Sequence, residues 1–296
     1  MPAIGQGHAP TFDLQSHSVH SDGSLPARQV VARAADAGVE LLALTDHDTV
    51  DGVAEALAAG AHHGVHVVPA AELSAVHGDE EDLHILGYAL EHTDPILRET
   101  LRDWRADRSR RIVAMADRLE ALGFALDRSE LDERTSAGKP LGRPHLAQAL
   151  LTHPFNRERL ERENIRGLDE LFPAYLVPGA PAYVGRTRPT VAQAIDAIHA
   201  AGGLAVWAHP FWNLDDPTQA LEALDEFQAA GLDGVECFYI THSEAETRLL
   251  YDRCRSRNLL TTGSADFHGP ERERFHAFRA FELHGLRPDL GRLAAV

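Results

Sequence analysis

The chain has 296 residues, enough to bury a large core, and its 28 Lys and Arg against 45 Asp and Glu give a formal net charge of −17. This balance excludes the long-range basic surface that binds duplex DNA, while 18 histidines against two cysteines exclude a disulfide framework and a cysteine-rich zinc module. Neither a signal peptide nor a membrane-length apolar segment is present, so we expect a cytoplasmic protein without a membrane partner.

Short apolar segments alternate with longer amphipathic ones along most of the chain. Seven segments rich in Val and Leu are typical of strands buried on both faces of a parallel sheet: residues 11–14, 39–44, 65–70, 83–88, 203–208, 234–239 and 259–264. Helical patterns at 26–38 and 190–202 each end at a glycine. The order of strand, helix and strand predicts an α/β fold, a distorted (β/α)7 TIM-like barrel with its active site at the carboxyl ends of the strands.

Residues 94–184 break this order because they contain no buried-strand segment. Within them, residues 98–122 have the pattern of one long helix, and residues 173–181 are rich in turn-forming residues. A segment of this length is too long for a simple loop. We therefore predict a discontinuous barrel of residues 1–97 and 186–296, with residues 98–185 as a helical insertion.

Histidines and acidic residues lie in or just after most of the predicted strands. The candidates with nitrogen or carboxylate ligand atoms are His17, Asp22, His47, Glu72, His84, His209, Asp266 and His268. The ends of parallel barrel strands meet at one rim, so we expect these side chains to converge. Imidazole and carboxylate ligands without thiolates are typical of Mn, Fe or Zn sites, and the pattern predicts a multinuclear metal hydrolase.

Six motifs, in this order along the chain, resemble those of the polymerase and histidinol phosphatase (PHP) family. They are His17-Ser18 with Ser21-Asp22-Gly23, Thr45-Asp46-His47-Asp48, Ala71-Glu72-Leu73, His84 before Gly87-Tyr88, Ala208-His209-Pro210 and Asp266-Phe267-His268-Gly269. The chain is most similar to stand-alone members that hydrolyse nucleotide phosphates or short RNA from the 5′ end. Residues 142–145 and 181–184 resemble the lobe that covers the substrate in that subgroup, which implies that the insertion covers the active site.

The resemblance also implies two or three divalent metal ions and their ligands. One ion would be held by His17, Glu72 and Asp266 with the residue at position 15. A second would be held by Glu72, His84 and His209, and a third by Asp22, His47 and His268. Asp22 stands where histidinol phosphatases of the family tend to have a histidine, which favours the nucleotide-cleaving subgroup.

Gln15 departs from the family pattern, because relatives usually have histidines at both positions that are here Gln15 and His17. An amide oxygen is neutral and binds transition metals more weakly than imidazole does. Three outcomes are open: a working site with a weaker first metal, a two-metal enzyme, or a protein without catalytic activity. We favour the first and expect Gln15 to be a metal ligand. His20 is an alternative donor, although its position favours an exposed loop.

Hydrolysis of a phosphoester at such a site would use a metal-bound hydroxide as the nucleophile. His209 and Asp48 are candidates for assisting proton transfer, and Asp48 is equally well explained as a residue that orients His47. Four further candidates would bind the substrate phosphate: Arg143, His145, Arg186 and Arg188.

The segment after His209-Pro210 departs from the family as well. Many relatives continue with Gly-Arg, whereas this chain has Phe211-Trp212-Asn213, so a phosphate-binding arginine is missing there. Trp212 could stack on a nucleobase or pack within the protein.

These observations favour a metal-dependent phosphoesterase acting on a small nucleotide, such as a nucleoside 3′,5′-bisphosphate, or on the 5′ end of short RNA. Two alternatives remain open: a phosphatase like histidinol phosphatase, and a metal-bound nucleotide sensor without catalytic activity. The expected partner is a small phosphorylated substrate, and the oligomeric state does not follow from the sequence.

Overall fold

A computed structural model of the protein describes residues 10–78, 80–138, 141–185 and 189–294. The chain divides into two compact units, one formed by Met1–Thr100 with Pro189–Val296 and the other by Leu101–Arg188. We call them the barrel unit and the helical unit.

The barrel unit contains a seven-stranded sheet whose spatial order follows the chain order. The strands are β1 (Phe12–Asp13), β2 (Leu41–Leu44), β3 (His66–His77), β4 (Glu80–Tyr88), β5 (Leu204–Trp207), β6 (Gly234–Tyr239) and β7 (Leu260–Ser264). Beyond β1, the main-chain N–H of Leu14 donates to Gly263 in β7 at 3.2 Å, and Ser16 pairs in parallel with Phe267. These contacts bring the first and last strands together, so the predicted distorted α/β barrel is confirmed.

The prediction of an all-parallel sheet is wrong at one strand. β4 pairs antiparallel with both β3 and β5, whereas the remaining neighbours are parallel. β3 is also longer than predicted and continues to His77, only three residues before β4 begins. A connection this short cannot contain a crossover helix, so the chain must turn back on itself.

The helices are α1 (Ala27–Asp36), α2 (Val53–His63), α3 (Pro95–Ala121), α4 (Ser129–Ser136), α5 (Arg143–Leu151), α6 (Arg157–Arg162), α7 (Leu168–Leu171), α8 (Val191–Ala200), α9 (Pro217–Ala229) and α10 (Glu244–Arg257). Short 3₁₀ segments lie at Pro154–Asn156, Pro210–Trp212 and Gly291–Ala294, and a π-helical turn lies at Phe172–Leu176. None of the helices in the described residues is both long and apolar enough to cross a membrane.

Each unit has a hydrophobic cluster of its own. In the barrel unit, Val30 and Val31 of α1 pack with Leu42 and Leu44 of β2. In the helical unit, apolar residues of α3 pack with those of α5 and the π-helical turn: Ile112, Met115, Leu119, Leu146, Leu150 and Leu176. Burying one such side chain contributes about 1.5–3 kcal/mol to the stability of the fold. In the barrel unit this packing fixes the strands, and with them the polar residues at the strand ends.

Candidate metal centre

The barrel brings together histidines, carboxylates and one amide from six strands or the segments that follow them. They are Gln15, His17 and Asp22 after β1, His47 after β2, Glu72 in β3, His84 in β4, His209 after β5, and Asp266 and His268 after β7. All are buried or half-buried except the more open Asp22 side chain, which is 38% exposed. The structure thus places every predicted metal ligand of the barrel in one region.

Glu72 lies at the centre of this group. Its Oε1 is 2.7 Å from His84 Nδ1 and 3.3 Å from His209 Nε2. Its Oε2 is 3.1 Å from His17 Nε2 and 3.6 Å from His47 Nδ1. Burial raises the pKa of Glu72, but the nearby His47 and His84 and the close contacts with His17 and His209 outweigh burial and hold it well below its usual range. Glu72 is therefore a buried carboxylate anion that faces four imidazoles.

Asp22 forms a second focus on the more exposed side. Its Oδ1 lies 3.6 Å from His17 Nδ1 and 3.5 Å from His268 Nε2, and its Oδ2 lies 3.6 Å from His47 Nε2. The His17 and His268 rings stack with centroids 4.2 Å apart, which fixes both rings beside the same carboxylate.

Asp266 completes the group from the side of β7. Its Oδ1 is 3.1 Å from His17 Nε2, and its Oδ2 accepts a hydrogen bond from the Tyr239 hydroxyl at 2.8 Å. Its backbone has a φ of 54°, a left-handed conformation that is uncommon outside glycine, although aspartate adopts it more often than most residues. Such strain is found where the surrounding structure requires one side-chain direction, and here the carboxylate points toward His17.

The donor atoms fit divalent metal ions. Two sets have ligand atoms within 4.8 Å of one another, Asp22 with His17, His47 and His268, and Glu72 with His47 and His84. Among the described residues, four buried nitrogen or oxygen atoms of the group make no aligned hydrogen bond: His17 Nε2, His47 Nδ1, His209 Nδ1 and Asp266 Oδ1. Buried polar atoms are rarely left without a hydrogen-bond partner. Imidazole and carboxylate ligands suit Mn, Fe or Zn.

The pKa shifts of the candidate histidine ligands differ in direction, since the neighbouring carboxylates outweigh burial and raise the pKa of His17 and His268. Burial lowers the pKa of His47 to about 4, despite the opposing charges of Glu72 and Asp22. The ring is therefore neutral near pH 7, which is the form that binds a metal.

Gln15 is fully buried and lies against the central carboxylate. Its amide nitrogen donates to Glu72 Oε2 at 3.0 Å, and its amide oxygen lies 3.4 Å from the Ser264 hydroxyl oxygen. A half-turn of the amide group would exchange the two atoms and present the oxygen to Glu72 and its ion. The assignment of Gln15 as a ligand stays a prediction. His20, the alternative donor, lies beside Gly52 and belongs to neither ligand set.

Asp48 has contacts that favour positioning over proton transfer. Its carboxylate accepts hydrogen bonds from the main-chain N–H of Ser74 at 2.8 Å and from the Ser74 hydroxyl at 3.1 Å. Its own N–H donates to the carbonyl of Glu72 at 2.7 Å. Asp48 thus ties the end of β2 to the part of β3 that carries Glu72, and its catalytic role stays a prediction.

The structure adds supporting residues that the sequence did not assign to the site. Glu236 in β6 accepts hydrogen bonds from the main-chain N–H of His209 at 3.0 Å and from the Ser264 hydroxyl at 2.6 Å. Burial, assisted by the charge of Asp266, raises the pKa of Glu236 well above its usual range. An acidic residue inside an apolar strand was the available signal, but a single buried acid does not reveal its partner.

Asp46 is a second supporting residue. Its Oδ1 accepts from the Ser18 N–H and the Ser21 hydroxyl, and its Oδ2 accepts from the Ser18 hydroxyl, all at 2.7 Å. These bonds hold the loop between His17 and Asp22. The sequence places Asp46 in a family motif without showing which residues it contacts.

The structure describes two of the four predicted phosphate-binding residues. Arg143 is half-buried in the helical unit, where it donates to the carbonyl of Leu176 at 3.2 Å and lies over the Phe172 ring. His145 Nδ1 accepts from the N–H of Gly142 at 3.2 Å. Arg186 and Arg188 lie outside the described residues. The substrate contacts of all four remain predictions.

The chain is similar to known proteins over most of its length. A family model described as the PHP domain matches residues 13–140. The chain is 33% identical to the 3′,5′-nucleoside bisphosphate phosphatase of Chromobacterium violaceum over 260 residues, which cover 88% of this chain and 87% of the relative. It is 32% identical to the 5′-3′ exoribonuclease Rnm of Escherichia coli over 269 residues, 89% of this chain and 87% of the relative.

A solved structure is similar over almost the same length. It is an amidohydrolase from Chromobacterium violaceum with bound sulfate and no metal, superposed with a TM-score of 0.72 and 31% sequence identity. The match covers 91% of both chains. The likeness therefore extends over nearly the whole fold, beyond the residues that the family model matches.

Proposed function

Because this chain belongs to the PHP domain family and is a metal-dependent phosphoesterase, we propose that it removes phosphate from a small nucleotide, such as a nucleoside 3′,5′-bisphosphate, or acts on the 5′ end of short RNA. The observation that carries the proposal is Glu72 within 3.6 Å of four imidazoles. Two relatives that span most of the chain, the bisphosphate phosphatase and the exoribonuclease, support the choice of a nucleotide substrate.

Three groups of residues would hold the metal ions. One consists of His17, Glu72 and Asp266 with Gln15, the second of Glu72, His84 and His209, and the third of Asp22, His47 and His268. Divalent ions bound there would neutralise charge on the phosphoryl oxygens. They would also lower the pKa of water, so that hydroxide is available to attack near neutral pH. They would also create a local positive field in a protein whose net charge is −17.

The protein supplies orientation and proton transfer around these ions. Glu236 fixes the backbone of His209, so that the imidazole faces Glu72. We propose that His209 holds an ion through Nε2. Proton exchange with the leaving group is its alternative role, because a ring nitrogen bound to an ion carries no proton. Asp48 and Asp46 keep the segments that carry Glu72, His17 and Asp22 in register.

Phosphate recognition would come from cations as well as from the metal ions. Arg143 and His145 are our proposed phosphate contacts in the helical unit. Arg272 is a further candidate in the barrel unit, because its guanidinium donates to the carbonyl oxygen of Asp22 at 2.7 Å. It could replace the cation lost where relatives have Gly-Arg after His-Pro.

A panel of substrates tests this proposal. Protein loaded with Mn should release inorganic phosphate from adenosine 3′,5′-bisphosphate or shorten a 5′-phosphorylated oligoribonucleotide, and it should turn over histidinol phosphate at least about tenfold more slowly, since that substrate lacks a base and sugar to bind. A clear preference for histidinol phosphate would overturn the nucleotide assignment while leaving the metal centre in place. Binding of the nucleotides without turnover under any metal would instead indicate a sensor.

A further inference from the structure

Trp212 is an exposed aromatic residue next to the metal centre. Its side chain is 49% exposed, whereas Trp207, at the end of the preceding strand, is fully buried. Trp212 ends the short 3₁₀ segment that follows His209, and its N–H donates to the carbonyl of His209 at 2.8 Å. The centroids of the Trp212 and His209 rings are 6.4 Å apart. The indole is thus fixed to the backbone of a predicted ligand while much of its surface faces solvent.

Phe275 lies beside Trp212 and is attached to another part of the centre. Its ring centroid is 5.8 Å from that of Trp212 and 5.5 Å from that of His268. Its carbonyl accepts the N–H of His268 at 2.9 Å, so the segment after β7 folds back on the centre. The two aromatic rings therefore form one surface, which we call the aromatic platform, and each ring is held by a segment that carries a candidate ligand.

Ordinary packing does not explain this arrangement. Among the described aromatic residues of the barrel unit, Trp212 is the one whose side chain remains exposed. An exposed indole loses the free energy that burial would provide, whereas Phe211 next to it packs against His242.

We propose that the aromatic platform binds the nucleobase of the substrate, with the base stacked on Trp212 and flanked by Phe275. This inference rests on the proposed function and extends it to base recognition. Every base has a π-face, and stacking on an aromatic side chain tolerates different bases, with larger purines gaining more contact. The ribose then spans from the platform to the ligands around His209, where the phosphate reacts. The chain therefore recognises the presence of a base in addition to the phosphate.

Binding of adenosine 5′-monophosphate and of base-free ribose 5-phosphate tests the platform. Isothermal titration with metal-loaded W212L should show AMP binding weaker by about 5- to 100-fold than in the unchanged protein, the range of one lost stacking contact. W212F should lie in between, and F275L should weaken binding in the same direction. Ribose 5-phosphate should bind all variants equally. Quenching of tryptophan fluorescence by AMP should be lost in W212F, although Trp104 and Trp207 remain.

F155L is the matched control, since Phe155 is 72% exposed in the helical unit and is not part of the platform. Metal content and thermal unfolding of W212L should stay close to those of the unchanged protein, which excludes general damage. Unchanged AMP affinity in W212L, or no AMP binding by the unchanged protein, would overturn the platform. Platform-dependent AMP binding without phosphate release from any nucleotide would leave the platform and overturn the proposed function.

Discussion

Replacing Glu72 with glutamine is expected to lower the rate of phosphate release by about 10³-fold or more and to reduce the amount of bound metal. The substitution keeps the shape of the side chain but removes the charge that lies within 3.6 Å of four imidazoles. Loss of even an outer partner of a metal ligand typically costs about 10- to 100-fold in affinity or activity, and Glu72 is proposed to bridge two ions. The measurement is turnover of adenosine 3′,5′-bisphosphate together with metal content by mass spectrometry.

E222Q provides the matched control, because Glu222 is an exposed residue of α9 and undergoes the same chemical change. It should have the rate and the metal content of the unchanged protein. An E72Q variant that keeps its metal and more than about a tenth of the activity would contradict the bridging role.

Replacing Asp46 with alanine is expected to destabilise the barrel unit by about 2–4 kcal/mol and to weaken metal binding. Ser18 would lose the acceptor of both its N–H and its hydroxyl, and each buried donor left without an acceptor costs about 1–3 kcal/mol. The loop between His17 and Asp22 would lose its fixed position as well, so the ligands at its two ends would no longer meet. Urea unfolding of the chelator-treated protein measures the stability without a contribution from metal binding.

D36A is the control for that experiment, because Asp36 is exposed at the end of α1. It should unfold at a urea concentration close to that of the unchanged protein. If D46A also unfolded at the urea concentration of the unchanged protein, the bonds between Asp46 and Ser18 would not be what holds the loop.

The strands of the barrel could be predicted because their apolar segments are short, bounded by turn formers and rich in Val and Leu. The direction of β4 could not, since buried parallel and antiparallel strands have similar composition. The deciding feature is the short connection between His77 and Glu80. The predicted end of β3 at residue 70 hid this feature, because polar residues such as Glu72 and Ser74 interrupt the apolar pattern while the strand continues.

The convergence of the site could be predicted because barrel strands place their ends at one rim. The same pattern did not identify what supports the ligands. Glu236 and Tyr239 lie in an apolar strand, and their contacts with His209 and Asp266 depend on the three-dimensional neighbours of β6. Asp48 is the reverse case. Its position in a motif suggested a role in proton transfer, whereas its hydrogen bonds to Ser74 indicate that it positions the strand that carries Glu72.

The most direct measurement is phosphate release from adenosine 3′,5′-bisphosphate by chelator-stripped protein titrated with Mn, with bound metal counted in the same samples. We expect almost no release without metal, and a rate that rises as the ions bind and levels off at two or three per chain. Full activity of the metal-free protein, or saturation with metal without release from any phosphoester, would contradict a phosphoesterase built on the metal centre around Glu72.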